Sequence, residues 1–179
     1  IVSDPNKYSM YAVLKKEDQI IDENLFGNGV YIANLNSDKQ VVICGLKEKL
    51  DSFKEKYNLG KYIPLNVSAP FHSELMIESS KIFKEKNLNT NFKKVNSSII
   101  SNHKLVNYRD IPETDYLNQL THQIHSPVMW SKTIQLLISK GIKQFMEIGP
   151  KKTLLNFISK DFDGDKISIT NNEEVDNYV

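Results

Sequence analysis

Residues 30–45 read VYIANLNSDKQVVICG. Two β-prone runs, VYIANL at 30–35 and QVVICG at 40–45, flank the turn formers NSDK at 36–39. The pattern predicts an antiparallel hairpin, and its neighbours decide what the hairpin belongs to. Upstream, YSMYAVL at 8–14 alternates as a strand does, and KEDQIIDENLF at 16–26 has helical character ended by GNG at 27–29. Downstream, LKEKLDSFKEKYNLG at 46–60 places Leu46, Leu50, Phe53 and Tyr57 at helical spacing before a glycine, and KYIPLNV at 61–67 is a further strand.

The resulting order, βαββαβ, predicts a ferredoxin-like unit. Beyond it the pattern changes to strands alternating with helices, which predicts a parallel, helix-flanked sheet. SELMIESSKIFKEKNL at 73–88 reads as an amphipathic helix with Ser73 as its cap, and NSSIIS at 96–101 as a short strand. Residues 102–114 read as loop. TDYLNQLTHQI at 114–124 starts a helix that Pro127 interrupts, and PVMWSKTIQLLISKG at 127–141 reads as a long one. KQFMEIG at 143–149 is a strand, Pro150 suits the first position of a helix over KKTLLNFISK, and KISIT at 166–170 is a last strand. The final NNEEVDNYV reads as a loose tail.

Composition removes several classes of function. The chain has 179 residues, 40% hydrophobic and 25% charged, the profile of an ordinary soluble globular protein. A net charge of +1 gives no reason to expect nucleic acid or an anionic membrane as partner. Arg109 is the only arginine, so bidentate gripping of phosphate or carboxylate has little support here. Cys44 is the only cysteine, which rules out a disulfide framework and a cysteine-based metal site. No apolar run approaches the length of a membrane span. The start, IVSDPNKYSM, has neither an initiator methionine nor a signal-like pattern, so the chain is expected to be part of a longer protein.

Four stretches could carry chemistry. In SAPFHSELM at 68–76, a rigid Pro-Phe approach followed by a helix start would hold His72 as a base, with one ring nitrogen toward a nucleophile and the other pinned. A half-buried histidine at a strand-to-helix corner accounts for the same residues. In EIGPKKTL at 147–154, a helix N-terminus with Lys151 and Lys152 would attract an anion, or form a plain strand–turn–helix joint. In QIHSPVMW at 123–130, the Ser-Pro break reads as a kink that packs Trp130; His122 and His125 lack zinc-helix spacing and read as surface or packing residues. Asn34 and Asn36 could bond a ligand or cap the hairpin turn.

Each stretch is weak alone, but their order and spacing are specific. YSMYAVL, NLNSDKQVVICG, PLNVSAPFHSELM, SSIISN, QIHSPVMW and EIGPKKTL, from about residue 8 to about residue 160, resemble the C-terminal portion of the malonyl-CoA:acyl carrier protein transacylases of type II fatty acid synthesis. The acyltransferase domains of polyketide synthases are relatives. The resemblance implies a ferredoxin-like subdomain at 8–67, the C-terminal part of an α/β-hydrolase-like subdomain at 68–170 and a tail at 171–179. It implies that His72 is the catalytic base and that the main-chain carbonyl of Gln123 pins it. It also implies that Phe71 faces substrate, an aromatic at position 71 going with malonyl rather than methylmalonyl; of the two asparagines, Asn34 is taken as the substrate-binding one.

The implied substrates are malonyl-CoA, a coenzyme A thioester, and phosphopantetheinylated acyl carrier protein, with no cofactor, no metal, no nucleic acid, no membrane and a monomeric state. The implied compartment is the cytoplasm in a bacterium, or a plastid or mitochondrion in a eukaryote. The family's serine elbow and carboxylate-binding arginine have no counterpart in this sequence, which contains no GxSxG. The isolated chain is therefore expected to be inactive. A polyketide-pathway acyltransferase and a silent carrier-protein-binding remnant are the alternatives. Lys151 stands where the family usually has glycine.

Overall fold

The computed structural model describes residues 6–16 and 21–176. The chain divides after Trp130 into two compact units. In the first, β1 (Tyr8–Lys15), β2 (Val30–Ser37), β3 (Gln40–Leu46) and β4 (Gly60–Pro64) form one sheet in the order β2-β3-β1-β4. Every pairing is antiparallel. The hairpin is as expected, with Asp38 and Lys39 at its tip and Ser37 paired with Gln40. Pro64 ends the edge strand β4, where its missing N–H costs no ladder bond.

Strand alternation gives the sheet two different faces. One face carries Val13, Val30, Val41 and Ile43, which pack with Leu50 and Phe53 of α1 (Lys47–Lys56) and with Leu59. The other carries Met10, Ala12, Ala33, Val42 and Cys44, mostly small side chains. Helix α1 stops at Lys56, short of the expected span, and Gly60 opens β4 at φ 136°, a value that favours glycine.

The remainder of this unit holds α2 (Ile77–Lys86) and α3 (Tyr116–His125), which pack on each other. Four expectations need correction here. Only a 3₁₀ turn, Glu23–Leu25, is found in the expected helix at 16–26, and residues 17–20 lie outside the described part. The expected strand at 96–101 is reduced to one bridge, Ile100 with Asn107, because the Ile99 N–H goes to the Asn107 side chain and the Ser101 N–H to Val106 within the same loop. Ser73 does not cap a helix with its side chain; its hydroxyl donates to the Pro70 carbonyl at 2.6 Å. The helix expected from Pro127 starts only at Trp130, because Val128 and Met129 are engaged elsewhere.

The second unit contains nearly all of α4 (Trp130–Ser139), a parallel pair of strands, β5 (Gln144–Ile148) and β6 (Asp165–Ile169), and α5 (Asn172–Asp176). The helix expected after Pro150 is absent apart from a 3₁₀ turn at Leu155–Phe157. The tail instead begins with α5, which is capped by its own residues: the Asn171 side chain accepts from the Glu174 N–H, and the Glu174 carboxylate accepts from the N–H and the hydroxyl of Thr170, the residue before the cap. No helix of the described residues is long and apolar enough to cross a membrane.

Candidate active site around His72

The segment after β4 is tied down residue by residue. Pro70 is fully buried. The Phe71 N–H donates to the Ala69 carbonyl, and the buried Ser73 hydroxyl donates to the Pro70 carbonyl. The Cys44 thiol, from the small-residue face of the sheet, lies 3.6 Å from the Phe71 carbonyl oxygen. Between these ties, His72 adopts φ 61°, the left-handed region that costs a non-glycine residue about 1–3 kcal/mol. A backbone held there needs partners that over-determine it.

Those partners come from the end of α3. The His72 main-chain N–H donates to the Ile124 carbonyl at 3.2 Å, and Nδ1 lies 3.0 Å from the Gln123 carbonyl oxygen. A carbonyl only accepts, so Nδ1 carries the proton and Nε2 is left with a free lone pair. That is the arrangement a general base requires. No carboxylate takes part, so orientation and tautomer are fixed without a buried negative charge.

Both carbonyls are open because the chain leaves the helical path at the end of α3. Ser126 is extended, φ −117° and ψ 148°, as the residue before a proline prefers. Val128 then forms a parallel bridge with Asn34 of β2: its N–H donates to the Ala33 carbonyl at 2.8 Å, and its carbonyl accepts from Leu35 at 2.9 Å. Met129 donates to the Asn102 carbonyl. Asn34 thus stands half-buried where β2 meets the segment beyond α3. The Asn36 amide bonds Gln40 within the hairpin, the turn role allowed for it.

Phe71 is 39% exposed, so its ring does not serve as core packing. A cavity of about 380 Å³ lies beside Gln123, lined among others by Ile99, Ile100, Asn102, Tyr108 and Leu120. It draws on the SSIISN stretch, although that stretch is not a strand.

Sequence reasoning missed a group of histidines. The rings of His103 and His122 stack at 6.0 Å, and those of His122 and His125 lie 5.2 Å apart. Both ring nitrogens of His103 are buried without a hydrogen-bond partner, and burial pushes its imidazole down to about 4. No group of side chains among the described residues could hold a metal ion. His103 is remote in sequence from the other two, and no spacing rule would have found it.

In the second unit the anion reading of EIGPKKTL receives an internal answer. The Glu147 carboxylate accepts from the Leu154 and Leu155 N–H groups at 2.9–3.1 Å. The amides that would have met a phosphate are occupied by the protein's own carboxylate, and Lys151 and Lys152 stay exposed.

No protein-family model matches the sequence. Among curated proteins, the malonyl CoA-acyl carrier protein transacylase of Bacillus subtilis (strain 168) is 37% identical over 153 residues, which is 83% of this chain and 46% of the relative. The chain spans about half the length of the curated relatives it matches. The crystal structure of a malonyl CoA-acyl carrier protein transacylase from Clostridium perfringens matches with TM-score 0.85 and 28% identity, covering 99% of this chain and 58% of that one. A malonyl transacylase solved in complex with its type II polyketide acyl carrier protein shares the fold at TM-score 0.84 and 22% identity, over 98% of this chain and 59% of its own.

Proposed function

Since this chain matches the C-terminal portion of the malonyl CoA-acyl carrier protein transacylases in sequence and in fold, we propose that it supplies the general base of an enzyme moving malonyl from coenzyme A to acyl carrier protein, for fatty acid biosynthesis. The observation that carries this reading is the 3.0 Å contact between His72 Nδ1 and the Gln123 carbonyl. It leaves Nε2 as the one basic nitrogen of a firmly held ring.

The serine nucleophile and the arginine for the malonate carboxylate belong to the part of the relatives that this sequence does not match. In the proposed cycle, Nε2 takes the serine proton as Oγ attacks the thioester carbon. The tetrahedral oxyanion collapses, the imidazolium protonates the departing coenzyme A thiolate, and a malonyl-serine ester remains. The carrier protein's phosphopantetheine thiol repeats the sequence: Nε2 takes the thiol proton, sulfur attacks the ester, and the serine leaves with that proton. His72 moves a proton in both halves, Gln123 keeps its tautomer, and Phe71 and Asn34 face the acyl group. No cofactor is needed.

The sheet order β2-β3-β1-β4, antiparallel throughout, supports a ferredoxin-like subdomain over 8–67, with 68–170 continuing a hydrolase-like subdomain and 171–179 a terminal segment. Acyl carrier protein as partner is supported by the solved complex of a structural relative. A monomer acting away from membranes completes the proposal.

The test is His72→Ala in a protein that joins this chain to the serine elbow. Acyl-enzyme formation should slow by about 10²–10⁴-fold with the fold intact. A collapsed melting temperature with an unchanged rate per folded molecule would return His72 to a packing role.

A further inference from the structure

We infer that Pro127 is a positioning residue for His72, acting through the hydrogen bond it cannot donate. The inference rests on the proposed role of His72 and extends it to the device that keeps the pinning carbonyl available. In a continuing α-helix the carbonyl of residue i accepts from the N–H of residue i+4. For Gln123 that donor is residue 127, and proline has none. For Ile124 the i+4 donor is Val128, whose N–H is turned away to Ala33 of β2 at 2.8 Å. Proline at 127 also removes the i+3 donor to Ile124. Two consecutive carbonyls at the end of α3 therefore face outward unclaimed, and His72 takes both, Gln123 through Nδ1 at 3.0 Å and Ile124 through its main-chain N–H at 3.2 Å.

An ordinary residue at 127 would restore the competing donor. α3 could then close one more bond onto Gln123, and Nδ1 would share or lose its acceptor. The imidazole would be freed to hold its proton on Nε2, the tautomer that cannot accept a proton from a nucleophile. The bridge between Val128 and Asn34 fixes the direction in which the chain leaves the helix, so β2 and Pro127 act together on the same two carbonyls.

The experiment reads the His72 tautomer directly in the 179-residue chain, by long-range ¹⁵N–¹H correlation through the imidazole at mildly alkaline pH, with His72→Gln to assign the resonance. No substrate is present, so the outcome is independent of whether His72 turns over malonyl groups. The wild-type chain should show the Nδ1–H form. Pro127→Ala should move the tautomer ratio toward Nε2–H by roughly 5- to 10-fold, the worth of one net hydrogen bond. N-methylalanine at 127, introduced by semisynthesis, lacks both the ring and the N–H and should keep the wild-type ratio. An unchanged ratio in Pro127→Ala overturns the inference. If that variant does not fold, the N-methylalanine chain decides: a wild-type ratio supports the missing donor as the cause, and a lost Nδ1–H form assigns the effect to the ring and overturns it.

Discussion

Cys44 Sγ, on the interior strand β3, lies 3.6 Å from the carbonyl oxygen of Phe71, one residue before His72. The contact joins the sheet to the turn that carries His72. It also buries the thiol, and burial pushes its pKa up to about 12 from the ordinary 9.0.

The native chain should accordingly resist thiol reagents. Each unit of pKa costs tenfold in thiolate, so the reaction of Cys44 with a disulfide reagent at mildly alkaline pH should run on the order of 10³-fold slower than in the unfolded chain. Stopped-flow labelling with and without denaturant measures the ratio. Equal rates would mean that the Cys44–Phe71 contact opens freely.

At Phe71 the prediction concerns acyl choice. In the proposed role of Phe71, its exposed ring would leave little room for an extra methyl on the acyl group, and overpacking of that kind costs about 1–3 kcal/mol. In the enzyme carrying the serine, malonyl-CoA should be preferred over methylmalonyl-CoA by roughly 10- to 100-fold, with Phe71→Ser narrowing the gap. Paired kcat/KM values test it; a ratio that does not move removes Phe71 from the acyl pocket.

Leu50 is fully buried between α1 and the sheet. Leu50→Ala should lower stability by about 2–5 kcal/mol, the lost transfer energy plus the cavity left behind. Urea denaturation at fixed pH gives the number. A change below about 1 kcal/mol would show that the α1 face collapses to fill the gap.

The histidine group sets a pH dependence. Burial lowers the affinity of His103 for its proton, and repulsion from His122, Lys104 and His125 lowers it further. The unfolded chain therefore binds this proton more readily than the folded one. The contribution to stability is complete above the ordinary value of 6.5 and is lost as the pH falls from there toward 4. Solvent at the half-buried ring weakens the effect. The melting temperature should fall by roughly 2–4 °C across that window, and His103→Phe should flatten the slope. An identical profile in the variant would move the cause to other groups.

How far the sequence could be read depends on the range of the interactions involved. The hairpin at 30–45 and its partner strands were legible because alternation and a turn cluster are local signals. The pinned His72 was reached only through the resemblance, since Gln123 acts through its backbone and any residue type could present that carbonyl. The helix expected after Pro150 failed because Glu147, at the end of β5, captures the amides of Leu154 and Leu155 in a geometry that no periodicity encodes. The short α5 was missed although Asn171 is a cap-forming residue placed three before Glu174. The stacked His103 and His122 lay beyond any sequence rule, because only the fold brings them together.

The unequal faces of the four-stranded sheet set different limits on sequence drift. Toward α1, side chains such as Val41 and Ile43 meet other aliphatic groups, and exchanges of similar volume can be absorbed by repacking. On the other face, Ala12, Ala33 and Cys44 sit where added bulk at Cys44 would push directly on the Phe71 carbonyl and hence on the ring that comes after it. Residue size on that face is capped by the position of His72. A saturation library scored for acyl transfer should tolerate only small residues at Cys44, whereas the same library scored for folding alone should be more permissive there.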